Sequence, residues 1–300
     1  MRIGFIGTGT MGQPMLANLV KKGFQVTAWD VVGAALDAAA RLGAERAGSA
    51  REAVASAELV ITMLPSSANV EAVYWGEGGI GDCVALGRLC IDMSTIDPLT
   101  SQRVAARLKE RGVRVLDAPV SGGVGGAAAG SLAIMVGGDA ADLEEAKPAL
   151  AAMGANIIHV GAIGAGEVAK LCNNLISGSA LIAVAEAFRI GEAYGVDPQV
   201  LTEVIAKSSG ATWVMAHMHP VPGIVDNAAS SRQYAPGFTT DLMAKDLGLA
   251  VGAARDKRVP VVVAPAAQQL YRLASAHGIG REDCSAVYKF LKPSSDDAPV

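Results

Sequence analysis

Short apolar segments alternate with longer stretches of mixed polarity from the first residues to about Ile163. Each apolar segment is bounded by turn-forming residues, which predicts a buried strand. The stretches between them can form helices, the first at residues 10–22. Alternation of strands and helices at this spacing predicts βαβ units and a mainly parallel sheet. The predicted strands are residues 3–6, 25–29, 59–63, 89–93, 114–116, 132–136 and 157–160, the last two at the far edge of the sheet.

The pattern changes near Gly164, after which helices replace strands. Residues 167–194 predict one long helix that is apolar on too many sides for a surface helix, so we expect it to be buried between domains or subunits. Proline is favoured in a first helical turn, so Asp197-Pro198 begins the next helix. A polar loop at residues 220–236 and helices at 240–255 and 265–277 complete an all-helical region.

The fold class is therefore α/β, with an N-terminal doubly wound, mainly parallel sheet and a C-terminal all-helical domain. We place the doubly wound domain at residues 1–163 and the all-helical domain at 164–292. The tail at 293–300 has a disordered composition.

Composition narrows the classes of function. Apolar residues make up 51% of the chain, enough for a substantial core. The net charge is −4 without a basic stripe, so we expect no nucleic-acid partner. The apolar stretch 175–184 is too short to span a bilayer and is followed by Glu186. The apolar N-terminal segment resembles a signal peptide only superficially, because Gly7 interrupts it and no cleavage pattern follows. We expect a cytoplasmic protein without a membrane partner.

Neither cysteines nor histidines indicate a metal site. The cysteines lie at positions 83, 90, 172 and 284 and form no CxxC pair, so neither a disulfide framework nor a zinc site is predicted. His217 and His219 could ligate a metal, but no carboxylate or cysteine accompanies them at metal-site spacing. We interpret this pair as part of a loop and expect no metal.

The run Gly7-Thr8-Gly9-Thr10-Met11-Gly12 follows the first predicted strand and begins a helix. This is the context that a GxGxxG dinucleotide motif requires: the glycines permit a tight turn, close approach of pyrophosphate and close helix packing. The helix N-terminus offers N–H groups to phosphates. Asp30 follows the second strand, where a carboxylate accepts hydrogen bonds from ribose hydroxyls and repels a 2′-phosphate. The motif predicts a Rossmann domain that binds NAD rather than NADP. The alternative is a glycine-rich turn of another doubly wound fold, with Asp30 as a strand-end cap.

Two further loops follow predicted strands at the edge where ligands bind in such sheets. Met63-Leu64-Pro65-Ser66 comes at the end of the predicted strand 59–63, and Ser94-Thr95 follows the predicted strand 89–93. Taken alone, each could be an ordinary loop. The candidate cofactor contacts that these loops add are Leu64, Pro65, Asn69 and Thr95.

Three more motifs carry a resemblance to a known family. They are the DAPVSGG segment at residues 117–123, the GAGEVAKLCNN segment at 164–174 and Lys245-Asp246-Leu247. Together with the glycine motif, and in this order, they resemble the β-hydroxyacid dehydrogenase family over nearly the whole chain, to about Leu291. The run at 170–174 resembles the 3-hydroxyisobutyrate branch in particular.

The resemblance implies roles for individual residues. Lys170 and Asn174 share a helix face because they are four residues apart. Lys170 would exchange the proton of the substrate hydroxyl, a role that needs a neutral amine, and Asn174 would orient the reacting oxygen. Ser121, Gly122 and Gly123 would cradle a small carboxylate. Lys245 and Asp246 would reach the nicotinamide end of the cofactor and close the cleft between the domains, and Trp213 would line the substrate pocket. Some relatives carry an aromatic residue where this chain has Met218.

The implied activity is NAD-dependent oxidation of a small 3-hydroxy acid to its semialdehyde. 3-Hydroxyisobutyrate, oxidised to methylmalonate semialdehyde in valine catabolism, is the first candidate. L-Serine, 3-hydroxypropionate, 4-hydroxybutyrate and glycerate with tartronate semialdehyde remain alternatives, because a methylene changes selectivity by only about 1–3 kcal/mol. A non-catalytic NAD-binding regulator and an imine reductase are alternatives of other classes, against which Lys170 argues. The family also implies a homodimer or homotetramer.

Overall fold

The computed structural model describes residues 1–292. The tail expected to be disordered, residues 293–300, lies outside the described residues. The chain divides into two compact units, of which the first is Met1–Lys170 and the second begins at Leu171. The boundary falls within the long helix Ala165–Ala193, a few residues after the domain limit that we expected from the sequence.

The first unit is built on one sheet, mainly parallel as predicted. Its strands within the described chain are β1 (Arg2–Ile6), β2 (Gln25–Trp29), β3 (Glu45–Arg46), β4 (Leu59–Thr62), β5 (Leu89–Asp92), β6 (Arg114–Asp117), β7 (Val120–Ser121), β8 (Leu132–Gly137) and β9 (Gly154–Gly161). They are ordered β3-β2-β1-β4-β5-β6-β8-β7, and β9 pairs with β8. The pairs from β3 to β6 are parallel, whereas β8 is antiparallel to β6 and β7. The strand order reverses between β1 and β4, which is where ligands bind in doubly wound sheets.

Helices connect these strands, and short polar side chains begin several of them. The helices are α1 (Gly12–Lys21), α2 (Gly33–Arg41), α3 (Ala50–Ala55), α4 (Ser67–Trp75), α5 (Pro98–Glu110), α6 (Gly123–Ala129) and α7 (Ala140–Met153). The caps Ser49, Ser66, Asp97 and Asp139 each accept a hydrogen bond from a backbone N–H in the first turn. Such caps satisfy donors that lack an intrahelical partner.

Both faces of the sheet are covered, which explains why its central strands are continuous apolar runs rather than alternating ones. Successive side chains of a strand point to opposite faces. In β1, Phe5 belongs to one core cluster and Ile6 to the other. In β4, Ile61 and Val60 divide in the same way.

Helices dominate the described part of the second unit. Its helices are α8 (Ala165–Ala193), which begins in the first unit, α9 (Pro198–Ala206), α10 (Trp213–His217), α11 (Thr240–Asp256), α12 (Val263–Ala274) and α13 (Val287–Phe290). Phe188, Leu247 and Tyr271 lie at the centre of its core. The hydroxyl of Tyr271 donates a hydrogen bond of 3.0 Å to the carbonyl of Gly178, which ties α12 to α8.

Helix α8 matches the predicted long helix but is only partly covered. Ile176 and Ile190 are 68% and 62% exposed. By length and composition α8 would suffice to cross a membrane, and 44% of its most apolar stretch is buried within the structure. Core helices of soluble proteins meet the same criterion, so the finding is weak evidence for a membrane span.

The loops differ from the prediction in two places. His217, which we expected in a loop, ends the short helix α10, and only His219 lies in the loop that follows. The predicted polar loop at 220–236 contains a 3₁₀ turn at Ser230–Arg232. Both elements are too short to show a helical hydrophobic period, which explains why the sequence pattern did not indicate them.

Candidate active site

The glycine loop between β1 and α1 has the geometry that its motif predicts. Gly7 has a φ of +95°, and a Cβ at this position would lie 2.2 Å from the Met63 carbonyl oxygen. A Cβ on Gly12 would lie 2.0 Å from the Gly7 carbonyl oxygen, so a side chain is excluded at both positions. A Cβ on Gly9 would meet nothing within 4 Å. The glycine loop is therefore packed tightly at its two ends, and its backbone can be approached by a ligand at Gly9.

Asp30 holds this loop from the end of β2. Its Oδ2 atom accepts hydrogen bonds from the Thr8 backbone N–H at 2.6 Å and from the Thr8 hydroxyl at 3.3 Å. Its Oδ1 atom accepts one from the Val32 N–H at 2.8 Å. An ionised carboxylate has about four acceptor positions, so capacity remains for the ribose hydroxyls of a dinucleotide.

The N-terminus of α1 fits the phosphates of the same ligand. The helix begins at Gly12 with Met11 as the N-cap, and within the described residues no side chain caps it. Its first N–H groups therefore offer donors and positive potential to an anion. The glycines, Asp30 and this helix end together fit a dinucleotide, which agrees with the sequence prediction.

The two neighbouring loops lie at the same edge of the sheet. Leu64 is half-buried, and its backbone N–H donates a hydrogen bond of 2.8 Å to the Ser94 hydroxyl, which joins the loops after β4 and β5. Thr95 is half-buried and Pro65 is exposed. The Asn69 backbone N–H donates to Ser66 at the start of α4, so the predicted contact Asn69 lies in the first turn of that helix.

The residues Ser121, Gly122 and Gly123 form the turn between β7 and α6. Ser121 pairs with Ala133 of β8, which fixes the start of the turn. Gly122 and Gly123 have φ values of +129° and +60°, which other residues rarely adopt. The turn exposes backbone with little side-chain cover, as a carboxylate cradle requires.

Asp117, at the end of β6, anchors the start of α8. Its Oδ1 atom accepts a 2.7 Å hydrogen bond from the Gly164 N–H, and its Oδ2 atom accepts a 2.9 Å bond from the Glu167 N–H. A Cβ on Gly166 would lie 2.3 Å from the Met135 carbonyl oxygen and 2.8 Å from Asp117 Oδ2. These contacts bring the motif at 117–123 and the motif at 164–174 together in space.

Glu167 makes a second anchor for the same helix turn. Its side chain is fully buried, and Oε2 accepts a 3.1 Å hydrogen bond from the Ile96 N–H in the loop after β5. Burial raises the pKa of the neighbouring Asp117 carboxyl, against the opposing effect of its backbone hydrogen bonds. The first turn of α8 is thereby fixed by two buried carboxylates.

Lys170 follows this anchored turn and is only 6% exposed. An uncommitted lysine on a helix surface keeps its ammonium in water, so this burial sets Lys170 apart from ordinary surface lysines. Asn174, one helical turn further on, is 5% exposed. Its amide donates a 2.6 Å hydrogen bond to Asp246 Oδ2 and accepts one of 3.0 Å from the Asn173 amide.

Two candidates from the second unit have different surroundings. Lys245 Nζ lies 3.2 Å from Asp246 Oδ1, so the Lys245-Asp246 motif is joined to Asn174 through the buried carboxylate. The ring of Trp213 is 63% exposed and stacks on His217 with 4.5 Å between ring centroids. Met218 packs against the core of the second unit.

His219 is held inside the second unit by a defined hydrogen-bond chain. The Val221 N–H donates to its Nδ1 atom, so its Nε2–H donates to the Thr202 hydroxyl, which in turn donates to the Pro198 carbonyl. Burial lowers the pKa of His219 to about 4. The neutral ring has a structural role here. Among residues 1–292 no group of three or more His, Cys, Asp or Glu side chains could hold a metal ion.

Three buried polar residues had no role in the sequence interpretation. Asp117 and Glu167 were recognised only as letters of motifs, and Ser94 only as a loop residue. Asp117 ends a buried strand, where an acid is rare unless it is paired. This position at the end of a strand could have indicated a buried, paired role for Asp117 from the sequence. Nothing in the sequence indicated the role of Glu167, because its partner Ile96 is 71 residues away.

Two family models match the chain. The model described as the NAD binding domain of 6-phosphogluconate dehydrogenase matches residues 2–161. The model described as NAD-binding of NADP-dependent 3-hydroxyisobutyrate dehydrogenase matches residues 164–291.

Curated relatives match nearly the whole chain. An NAD-dependent L-serine dehydrogenase of Pseudomonas aeruginosa is 45% identical and covers 98% of this chain and 98% of its own. The mitochondrial 3-hydroxyisobutyrate dehydrogenase of Bos taurus is 41% identical, over 97% of this chain and 86% of its own. The chain belongs to the 3-hydroxyisobutyrate dehydrogenase family. It is an NAD-dependent oxidoreductase of the hydroxy-acid type, as the sequence motifs predicted.

Solved structures agree with this assignment. A Mycobacterium tuberculosis 3-hydroxyisobutyrate dehydrogenase described with L-serine has a TM-score of 0.93 and 41% identity, covering 97% of this chain and 99% of its own. An imine reductase from Myxococcus stipitatus has a TM-score of 0.63 at 18% identity. At that identity the imine reductase shows a shared fold alone.

Proposed function

We propose that this enzyme oxidises 3-hydroxyisobutyrate to methylmalonate semialdehyde, with Lys170 as the group that exchanges the hydroxyl proton. The observation that carries the proposal is the burial of Lys170, 6% exposed, directly after the turn of α8 that Asp117 and Glu167 anchor. A lysine placed so rigidly loses little freedom when it meets a substrate, as general acid–base catalysis requires.

The dinucleotide would bind along the glycine loop, residues 7–12, with pyrophosphate at the N-terminus of α1. The adenosine ribose would meet Asp30, whose negative charge repels a 2′-phosphate and favours NAD over NADP. Leu64, Pro65, Asn69 and Thr95 would line the neighbouring edge. When bound, the nicotinamide supplies the acceptor for the hydride that leaves the substrate carbon.

The protein residues would handle the carboxylate and the proton. Backbone N–H groups and the hydroxyl of the turn Ser121-Gly122-Gly123 would bind the substrate carboxylate. Lys170 Nζ, as a neutral amine, would accept the proton from the substrate hydroxyl and return it in the reverse reaction. Asn174 would donate a hydrogen bond to that same oxygen and orient it. Lys245 remains a candidate contact of the cofactor and Trp213 a candidate contact of the substrate.

L-Serine is the second candidate substrate, favoured by the relative from Pseudomonas aeruginosa that is 45% identical and named for that activity. The two substrates share the carboxylate and the primary hydroxyl and differ in a methyl against an ammonium group. Recognition of the ammonium needs acceptor groups, whereas the methyl needs an apolar wall. Such a difference gives only modest selectivity unless buried polar groups are left unpaired.

A substrate screen tests the proposal. The purified enzyme is mixed with NAD and, in turn, with 3-hydroxyisobutyrate, L-serine, 3-hydroxypropionate, 4-hydroxybutyrate and glycerate, and NADH formation is followed by absorbance. We expect the highest kcat/KM with 3-hydroxyisobutyrate. A higher kcat/KM with L-serine would select the second candidate. Absence of turnover with the whole panel would instead support an NAD-binding regulator.

The oligomeric state and location are also proposals. Large apolar side chains remain exposed at the end of α8 and on α9, with Ile190 at 62%, Tyr194 at 84%, Val200 at 55% and Val204 at 56%. Several large apolar side chains exposed on consecutive elements are typical of a subunit interface. We propose a homodimer or homotetramer in the cytoplasm, without a membrane or nucleic-acid partner. Light scattering coupled to gel filtration measures the mass, and a monomer would contradict the proposal.

A further inference from the structure

A buried polar cluster lies where β4 and β5 end, and the proposed reaction does not use it directly. The cluster consists of Thr62, Asp92 and Ser94, which are 0%, 5% and 0% exposed. Asp92 Oδ1 accepts hydrogen bonds from the Thr62 hydroxyl at 2.8 Å, the Ser94 hydroxyl at 2.5 Å and the Ser94 N–H at 3.2 Å. All three donors converge on a single carboxylate oxygen.

The direction of these bonds fixes the hydroxyl of Ser94. Because it donates its only hydrogen to Asp92, its lone pairs face the other way, toward the Leu64 N–H. That N–H donates to Ser94 Oγ at 2.8 Å. A continuous chain of hydrogen bonds therefore runs from Asp92 through Ser94 to the backbone of the loop after β4.

This loop is packed directly against the glycine loop. A Cβ on Gly7 would lie 2.2 Å from the Met63 carbonyl oxygen and 3.1 Å from Leu64 Cδ2. The contact lies between β1 and β4, where the strand order reverses and a dinucleotide crevice is expected. The position of Leu64 therefore sets one wall of the crevice beside the pyrophosphate loop.

The cluster carries a cost that packing alone does not explain. Among the described residues, Asp92 Oδ2 is buried without a hydrogen-bond partner. Burial, together with the nearby Asp117 carboxylate, raises the pKa of Asp92. A buried acid with an unsatisfied oxygen lowers the stability of the fold, which points to a role other than stability for this cluster.

We propose that Ser94 is a positioning residue for the dinucleotide: oriented by Asp92, it holds the Leu64 loop at the distance from the glycine loop that NAD requires. The inference rests on the placement of NAD under the proposed function. Removing the Ser94 hydroxyl leaves the Leu64 N–H without its acceptor, so the loop shifts toward another partner and the wall of the crevice moves with it.

The chain offers a matched control in its second unit. Ser285, 1% exposed, donates through its hydroxyl and its N–H to Asp283 Oδ1, at 2.7 and 3.1 Å. This is the same Asp-x-Ser arrangement in an equally buried place, remote in the chain from the glycine loop. Ser285→Ala therefore reproduces the loss of a buried serine–aspartate bond without altering the Leu64 loop.

The experiment compares wild type, Ser94→Ala and Ser285→Ala by NADH fluorescence titration, thermal unfolding and steady-state kinetics with the hydroxy acid identified in the substrate screen. Both variants should lower the melting temperature, but only Ser94→Ala should raise the NADH Kd and the KM for NAD, by about tenfold. The KM for the hydroxy acid should change less than twofold in both. Ser94→Cys, which keeps the volume but bonds weakly, should give an intermediate Kd if Ser94→Ala does not fold.

The outcomes separate the inference from the function on which it rests. If wild type binds NADH and Ser94→Ala matches Ser285→Ala in Kd and in KM for NAD, Ser94 has only a structural role and the inference is wrong. If Ser94→Ala does not fold, Ser94→Cys with the wild-type NADH Kd has the same meaning. If wild type itself fails to bind NADH, the proposed cofactor placement is wrong as well.

Discussion

Asn174 donates a 2.6 Å hydrogen bond from its amide to Oδ2 of Asp246, and the two side chains are 5% and 1% exposed. The bond uses one of the two hydrogens of the amide, which leaves the second to donate to a substrate oxygen. The Asn173 amide donates a hydrogen bond to Asn174 Oδ1, and Lys245 forms an ion pair with Asp246 Oδ1. Asp246 therefore fixes the orientation of the Asn174 amide.

We expect Asp246→Asn to lower kcat by about tenfold or more, because an amide can present its own hydrogens to Asn174 and so reverse the orientation of that side chain. Steady-state kinetics with saturating NAD measures the effect. Asp256→Asn, at the exposed end of the same helix, is the control and should keep the wild-type kcat. A kcat of Asp246→Asn within twofold of wild type would show that the orientation of Asn174 does not depend on Asp246.

Asp30→Ala should weaken NAD binding by about ten- to a hundredfold and change NADP binding much less, since the variant loses ribose hydrogen bonds but also loses a charge that repels the 2′-phosphate. Titration calorimetry with both nucleotides measures the ratio. Asp37→Ala, which removes a half-buried carboxylate on α2 that pairs with Arg46, is the control and should leave the ratio unchanged. Equal losses for NAD and NADP would refute the ribose assignment.

The pKa of His219, lowered by burial to about 4, predicts how stability depends on pH. Between pH 6.5 and about 4 the unfolded chain binds a proton at this residue and the folded chain does not. The contribution of His219 to the free energy of unfolding is therefore complete above pH 6.5. Between pH 6.5 and about 4 it falls with decreasing pH, by about 1.4 kcal/mol per pH unit.

Urea unfolding at pH 7.5 and at pH 5 tests this dependence. The contribution of His219 to stability should be about complete at pH 7.5 and partial at pH 5. His219→Asn should show a smaller loss of stability between the two pH values than wild type does. His217→Asn removes an exposed histidine of the neighbouring helix and serves as the control. If His219→Asn keeps the whole wild-type pH dependence, other groups are responsible for it.

The sequence predicted the sheet well because its strands are buried on both faces and therefore stand out as apolar runs. The segment Gln25–Trp29 agrees to the residue, and the prediction for β8 ends one residue early. The strand predicted at 157–160 lies within the longer β9, but β8 is an inner strand rather than an edge strand. The β3 strand, two exposed residues long, has no hydrophobic signature and was not predicted. Helix α10 was missed because five residues are too few to show a period.

The site divides in the same way between local motifs and distant contacts. The glycine motif and Asp30 could be interpreted from the sequence because a local turn dictates their types. The hydrogen bond between Asp117 and Gly164 joins residues 47 positions apart, and the one between Asn174 and Asp246 joins residues 72 positions apart. The sequence pattern does not show which distant residues form such pairs. From the sequence alone, Asp117 therefore had no expected role, and Asp246 was expected at the nicotinamide end of the cofactor.

The assignment of Lys170 is the central claim, and one variant tests it most directly. Lys170→Ala should reduce kcat by at least about a hundredfold, because alanine carries no amine to accept the hydroxyl proton. NADH fluorescence titration of the same preparation should give the wild-type Kd, and Lys207→Ala, which removes an exposed lysine, should keep full activity. A Lys170→Ala enzyme that binds NADH and retains near-normal kcat would contradict the account.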